Sequence, residues 1–230
     1  MNYRGLNIPF TSFGNVTSDD LFAPKEQELF DFYEGNAKRY KFALDIGANI
    51  GVHTILMERQ GWNVLAVEPD PEIARRLRAN LTAHGIDFAK TRQAAVSDRD
   101  GEAQFVRVRD NLTGSHLEGC KASYGPRETI TVRLIDCRPL FDWADFAKID
   151  CEGHEATLLK TLTADQLSHL EIMVEVGSPK NAVEIYQHLS PLGIGMWTQQ
   201  RNWQPLRGLG DMPVHHSEGA LFIGREEPFK

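Results

Sequence analysis

Residues 42–51 read Phe42-Ala43-Leu44-Asp45-Ile46-Gly47-Ala48-Asn49-Ile50-Gly51. A short apolar run ends in an acid, and a glycine-bearing turn then opens a helix over 51–60. Gly47 and Gly51 let backbone come close to a ligand and to the following helix. A second apolar run, Asn63-Val64-Leu65-Ala66-Val67, ends in Glu68. An acid at the end of a second parallel strand can accept hydrogen bonds from a ribose diol. The two acids and the turn between them specify a nucleoside-bearing cofactor.

A dinucleotide site needs Gly-x-Gly-x-x-Gly, so that bare backbone and a helix N-terminus face the pyrophosphate. Here Asn49 stands where the second glycine belongs, which argues against a nicotinamide-dependent oxidoreductase. Asp45 is expected to point into the turn. A carboxylate there repels a pyrophosphate but suits an ammonium or sulfonium group, and S-adenosylmethionine (SAM) carries both. Asp-x-Gly-x-x-x-Gly alone fits an ordinary strand-turn-helix, but with Glu68 in place the SAM reading dominates.

Strands and helices alternate outward from this turn. Residues 1–23 form an irregular lead-in, and Pro24 starts a helix through about Tyr33, stopped by Gly35. Strands over 42–46 and 63–68 alternate with helices over 51–60 and 71–84. In the second helix Ile73, Leu77 and Leu81 make an apolar stripe to lay on a sheet. Further strands are predicted near 91–97, 103–108, 129–134, 146–150, 170–176, 194–199 and 219–224, with helices over 155–162 and 180–189. Such alternation implies an α/β fold with a parallel sheet covered on both faces. Residues 109–128 are too long for a routine connection and read as a lid or binding loop. The 200–218 loop carries Arg201, Trp203, Arg207, His215 and His216. It reads either as a cap over the acceptor, with Trp203 stacking on a sugar face, or as a solvated hairpin.

The chain has 230 residues and a net charge of −7, which argues against nucleic-acid partners. Hydrophobic residues at 41% and charged residues at 25% are ordinary for a soluble globular protein. The Arg75-Arg76-x-Arg78 cluster reads as a solvated helix face. Cys120, Cys137 and Cys151 have no metal spacing and no disulfide framework, as expected of reduced thiols in a cytoplasm. No apolar run approaches the roughly 18 residues of a membrane span, and the N-terminus lacks a signal-peptide pattern. The expectation is a soluble cytoplasmic protein.

A second acidic turn, Lys148-Ile149-Asp150-Cys151-Glu152-Gly153-His154-Glu155, follows a strand at the sheet edge where ligands bind. Gly153 permits a sharp turn that swings His154 inward, where a histidine beside carboxylates can be a general base. Acids suited to a helix dipole explain Glu152 and Glu155, but not Asp150 or His154.

Residues 45–51, Ala66-Val67-Glu68-Pro69-Asp70-Pro71, 95–101 and 148–155 together resemble the FkbM family of SAM-dependent methyltransferases. The resemblance covers about residues 40–225, leaving 1–40 as lead-in and helix and 41–230 as the methyltransferase domain. Cys151 replaces the valine usual in that family, a conservative apolar change. The resemblance implies a Rossmann-like, class I α/β fold: a seven-stranded, mostly parallel sheet with helices on both faces and one antiparallel strand from the last hairpin. It implies O-methylation of sugars, polyketides or other small hydroxylated metabolites. The expected cofactor residues are Asp45, Gly47, Ala48, Asn49 and Gly51 for the methionine end. Glu68 and Pro69 would serve the ribose, and Ala95, Ser97 and Asp98 the adenine. Asp150 would sit under the methyl donor, with Glu152 and His154 facing the acceptor.

An alcohol is a poor nucleophile near neutral pH, so a base is expected, His154 before Asp150 or Glu152. A metal-assisted route lacks the ligand cluster that a site of oxygens wants, and no metal is expected. The chain lacks the Asn/Asp-Pro-Pro-Tyr turn associated with methylation of base amino groups, which weakens an N-methyltransferase. A SAM-binding protein without catalysis is the other alternative. The acceptor's identity and the oligomeric state, a homodimer included, stay open at this level.

Overall fold

A computed structural model describes residues 2–9, 11–122 and 124–229. In chain order the elements are β1 (Asn2–Tyr3), β2 (Leu6–Asn7), α1 (Pro24–Gly35), β3 (Phe42–Ile46), α2 (Val52–Arg59), β4 (Asn63–Val67) and α3 (Pro71–Ala83). Next come β5 (Thr91–Arg92), β6 (Ala95–Ser97), β7 (Gly101–Val108), β8 (His116–Leu117), β9 (Arg127–Asp136) and α4 (Cys137–Trp143). The chain continues with β10 (Phe146–Ile149), α5 (Glu155–Leu159), β11 (Glu171–Glu175), α6 (Pro179–Leu189), β12 (Gly195–Thr198), β13 (Gln204–Pro205) and β14 (Ala220–Gly224).

The main sheet has eight strands in the order β13-β12-β14-β11-β10-β3-β4-β5. β11, β10, β3, β4 and β5 run parallel, while β14 is antiparallel to both β11 and β12, and β13 to β12. Side chains alternate across its plane. Ala43, Val64, Ala66, Phe146 and Phe222 pack with α1, α2 and α3. Leu44, Ile46, Ala147, Ile149, Ile172 and Leu221 pack with α4, α5 and α6 on the other face. Helices therefore cover both faces, as expected.

The expected seven-stranded, mostly parallel sheet is corrected to this mixed eight-stranded sheet plus a separate four-stranded one, β6-β9-β7-β8. The difference begins at 91–97, which is two strands rather than one. Thr91 and Arg92 pair with β4, whereas Ala95–Ser97 pair with β9. β7 and β9 form a long antiparallel ribbon, in register from Gly101↔Leu134 to Val108↔Arg127. Long two-stranded ribbons twist strongly, and β9 draws β6 out of the main sheet.

The helix starts follow local chemistry. Asp70 caps α3, accepting from Glu72 N at 2.8 Å and Ile73 N at 3.2 Å, with Pro71 in the first turn. Ile73, Leu77 and Leu81 are buried, so the predicted stripe does face the sheet. No helix among the described residues is long and apolar enough to cross a membrane.

Candidate active site

The first turn builds the floor of a cleft. Gly47 follows β3 with a φ of +78°, and the N–H groups of Gly47 and Ala48 donate to Val67 O at 3.0 and 3.1 Å. Asn49 is also left-handed, with a φ of +50°, and its N–H donates to Glu68 Oε2 at 3.0 Å. Asp70 N donates to Glu68 Oε1 at 2.9 Å. Two backbone turns thus hold one nearly buried carboxylate, and each oxygen retains a lone pair for a further donor. Burial pushes the Glu68 carboxyl up to about 8, with Asp70 and Asp45 adding to the rise and the two backbone bonds opposing it. A buried acid with spare acceptor capacity fits a pair of ribose hydroxyls.

Gly47, Asn49, Glu68 and Pro69 line this first cleft together with Ala95, Asp150, Glu152 and His154; it encloses about 660 Å³ including its open mouth. Phe105, Leu112 and Leu117 add an apolar wall. Leu112 and Leu117 belong to the expected 109–128 loop, which contains β8 and folds over the cleft; Ser123 of that loop lies outside the described residues.

Five expected cofactor residues stand elsewhere. Ala48 is buried in the core beside α1, α2 and α3. Gly51 precedes α2 with a φ of +92°, and a Cβ there would lie 2.6 Å from Leu77 Cδ1, so this glycine serves helix packing. Ser97 is buried and bonds His154, and Asp98 pairs with Arg99 at 3.1 Å. Asp45 does not enter the turn. Fully buried beneath it, Asp45 accepts from Thr54 Oγ1 at 2.5 Å and sits beside Lys148 in the β3–β10 register. Its Oδ1 has no hydrogen-bond partner among the described residues, an orphaned acceptor below the cofactor turn.

The second turn carries stored strain. Glu152 and Gly153 are consecutive left-handed residues, with φ of +55° and +104°. Glu155 locks them from within, accepting from Cys151 N at 3.1 Å, Gly153 N at 2.9 Å and Asn181 Nδ2 at 2.5 Å. Glu155 is therefore structural, and the turn presents Glu152, which pairs with Lys121 of the loop. Burial and the neighbouring Asp150 push the Glu152 carboxyl up to about 7, against the pull of Lys121.

His154 lines the first cleft with both ring nitrogens engaged. Nε2 meets Ser97 Oγ at 3.0 Å, and Nδ1 meets Cys120 Sγ at 3.3 Å. Burial holds its pKa below the usual histidine value. In this geometry the imidazole ties β6 to the loop and has no nitrogen left for an acceptor.

Asp150 borders two further clefts as well. The larger encloses about 1050 Å³, mouth included, between the start of α1, the ends of β10 and β11, and residues 216–220. Lys148 Nζ holds Asp150 Oδ2 at 3.0 Å. Burial works against the Lys148 ammonium, but Asp150, Asp45 and Glu26 keep its pKa above the usual lysine range. Sequence reasoning passed over Glu175, the last residue of β11. Burial, then Asp150, Glu152 and Glu26, push its carboxyl well above the usual range. Its signal was available, since it ends a parallel strand in an acid as Asp150 follows β10. Trp203 does not cap this chamber; its Nε1 donates to Glu28 Oε2 at 2.9 Å and its ring packs on Phe229.

A family model described as the methyltransferase FkbM domain matches residues 45–193. The chain is 25% identical over 170 residues to hexuronic acid methyltransferase AglP of Haloferax volcanii, covering 72% of this chain and 68% of that protein. Among solved structures, precorrin-6y C5,15-methyltransferase from Geobacter metallireducens aligns with a TM-score of 0.46 and 12% identity over 95% of this chain and 93% of that one. Ribosomal protein L11 methylase from Lactobacillus delbrueckii aligns with a TM-score of 0.43 and 12% identity over 86% and 77%.

Proposed function

The chain belongs to the FkbM methyltransferase family, whose donor is SAM, and on that premise we propose that it methylates a hydroxyl oxygen of a small metabolite, a sugar foremost. The observation that carries this reading is the meeting of the Glu68 cleft with two further clefts at Asp150. A donor site and an acceptor site must share a wall at the reacting atoms, and Asp150 is that wall.

When bound, SAM supplies an electrophilic methyl group on a positively charged sulfur. Glu68 would accept from the ribose hydroxyls, while Gly47 and Asn49 keep backbone close to the cofactor. Ala95 and the apolar wall of Phe105 and Leu117 would face the adenine. Asp150, which lines the cleft beside Glu68, would supply negative charge toward the sulfonium, with Glu152 on the same turn. Alignment of acceptor oxygen, methyl and sulfur then supplies much of the acceleration, as in any in-line displacement held by a rigid site. The sugar preference draws support from the Haloferax relative, whose name specifies a hexuronic acid. Oxygen over nitrogen draws support from the chain's lack of the Asn/Asp-Pro-Pro-Tyr turn associated with methylation of amino groups on bases.

Incubation with SAM carrying a deuterated methyl group and a panel of hexuronic acids, neutral hexoses and amino sugars tests the reading. Mass spectrometry and NMR of the product should locate the label on oxygen. A label found only on nitrogen would overturn the oxygen assignment, and tight NAD binding without SAM binding would overturn the cofactor.

A further inference from the structure

Asp150, Glu175 and His216 all line both the second and the third cleft, so these three side chains stand where the two clefts adjoin. His216 reaches this junction from the far end of the chain, on the turn before β14. The turn is fixed in place. His215 caps it, with Glu218 Oε2 accepting from Val214 N at 2.6 Å and His215 N at 3.2 Å, and Lys25 of α1 donates to Ser217 O. The His216 ring stacks on His215 with centroids 3.9 Å apart, and no hydrogen bond occupies its nitrogens among the described residues.

We propose that the acceptor hydroxyl binds at the Asp150–Glu175–His216 junction and that His216 is the base that takes its proton. This rests on the reading of the chain as an oxygen methyltransferase. The acceptor oxygen forms a bond to the methyl carbon as the carbon–sulfur bond breaks, its electron pair staying on sulfur. The hydroxyl proton passes to the free imidazole nitrogen of His216. His154, bonded at both nitrogens, has no such capacity.

The surroundings suit the task. Burial, His215 and Lys121 lower the pKa of His216, and Asp150 opposes them, which favours the uncharged ring that can take a proton. Glu175 lines the same two clefts, and burial with Asp150, Glu152 and Glu26 pushes its carboxyl well above the usual range, which favours a form able to donate a hydrogen bond. Lys25 and Glu218 are engaged within the turn's own contacts, and Glu26, Lys148, Lys121, Glu152 and Glu155 are the further charged groups lining the clefts beside His216.

The first test is the crystal structure of the full chain with S-adenosylhomocysteine. The expected result places the adenosine beside Glu68 and the sulfur toward the junction, with the His216 ring uncovered. A homocysteine tail lying over His216, or a sulfur turned away from it, overturns the proposal even if no tested acceptor reacts. The second test uses deuterated SAM with glucuronic acid and methyl glucoside as acceptors. His216→Gln should bind S-adenosylhomocysteine within about twofold of the wild type, while transfer falls about 10²–10⁴-fold, the range for a lost general base. The rise of rate with pH through the histidine's pKa should vanish, and free imidazole should partly restore His216→Ala. Unimpaired transfer to oxygen by both variants overturns the role of His216 alone. Wild-type transfer to nitrogen instead overturns the reading beneath it.

Discussion

The α-carbon of Gly47 lies against the carbonyl of Asp150: a Cβ built on Gly47 would sit 1.8 Å from Asp150 O. The two turns recognised separately in the sequence are therefore one packed object. Asp150 N also donates to Ile46 O at 3.0 Å, and β3 and β10 run in parallel register beneath the contact. The cofactor turn and the acidic turn cannot move apart without breaking this seam.

Gly47→Ala should consequently damage stability as well as binding. The left-handed backbone costs roughly 1–2 kcal/mol for a residue with a Cβ, and forced overlap in a packed region adds about 1–3 kcal/mol. Thermal unfolding should show Tm lower by about 5–15 °C for a chain of this size. Gly35→Ala, at a helix end with nothing within 4 Å, is the control and should shift Tm little. Equal Tm values for the two variants would show that the seam yields readily.

Glu68 gives a pH signature. Its folded pKa of about 8 lies above the ordinary 4.5, so the folded chain binds more protons than the unfolded chain between these values. This group's contribution is therefore fully present below pH 4.5 and is lost as pH rises through 8. Ribose hydroxyls donate to the ionised form, so SAM binding should release a proton near neutral pH. Calorimetry at pH 7 in buffers of different ionisation enthalpy measures that release directly. Glu68→Gln should abolish it, and Glu68→Ala should weaken affinity by about 1.5–3 kcal/mol for each charge-assisted bond lost. Proton release that persists in Glu68→Gln would place the titrating group elsewhere.

How much of this was legible in the sequence depended on the range of the interaction. Alternation and capping are local, so β3, α2, β4 and α3 lie within a residue or two of their predicted ends. Glu68 was found because an acid at a strand end has a fixed place on a parallel sheet. Asp45 was misplaced because strand parity decides which face a side chain takes, and that parity sets it among buried residues against Thr54 of α2. The split of 91–97 depends on pairing with β9, whose partner is set forty residues on, and nothing in Thr91–Ser97 announces it. His216 read either as part of a cap over the acceptor or as a solvated loop histidine, because only the docking of its turn on α1 brings it to Asp150. The helix α4 was overlooked since its short, mixed sequence, Cys137–Trp143, shows one clear signal, the cap from Asp136.

Arg107 was also silent in the sequence, yet it ties the small sheet to the start of α3. From β7 it donates to Asp70 Oδ2 at 2.6 Å through Nε and to Oδ1 at 3.2 Å through Nη2, with Glu72 at 3.0 Å. Arg107→Met leaves the buried Asp70 carboxylate without its cation, a loss of about 3–5 kcal/mol when one partner of a buried pair is removed. Because Asp70 N holds Glu68, SAM affinity should fall with stability. The double variant Arg107→Met/Asp70→Asn should recover part of the stability in denaturant unfolding. A double variant no better than Arg107→Met would mean that the bond network, rather than the stranded charge, carries the effect.

His154 separates a structural from a catalytic role. Its two bonds link Ser97, at the end of β6, to Cys120 in the loop over the cleft, so His154→Ala should loosen that loop. Each lost bond is worth about 1 kcal/mol, which predicts SAM affinity lower by about 5–30-fold. Hydrogen exchange should quicken at 112–122 in the free variant and slow again on cofactor binding. Turnover at saturating SAM should fall by less than tenfold, and the rise of rate with pH should survive, because the proton goes elsewhere. His154→Gln, which can bond at both ends, should recover much of the affinity. A loss of 10²–10⁴-fold in turnover with intact affinity and a vanished pH limb would instead make His154 the base. The bonds to Ser97 and Cys120 would then have to open in every catalytic cycle.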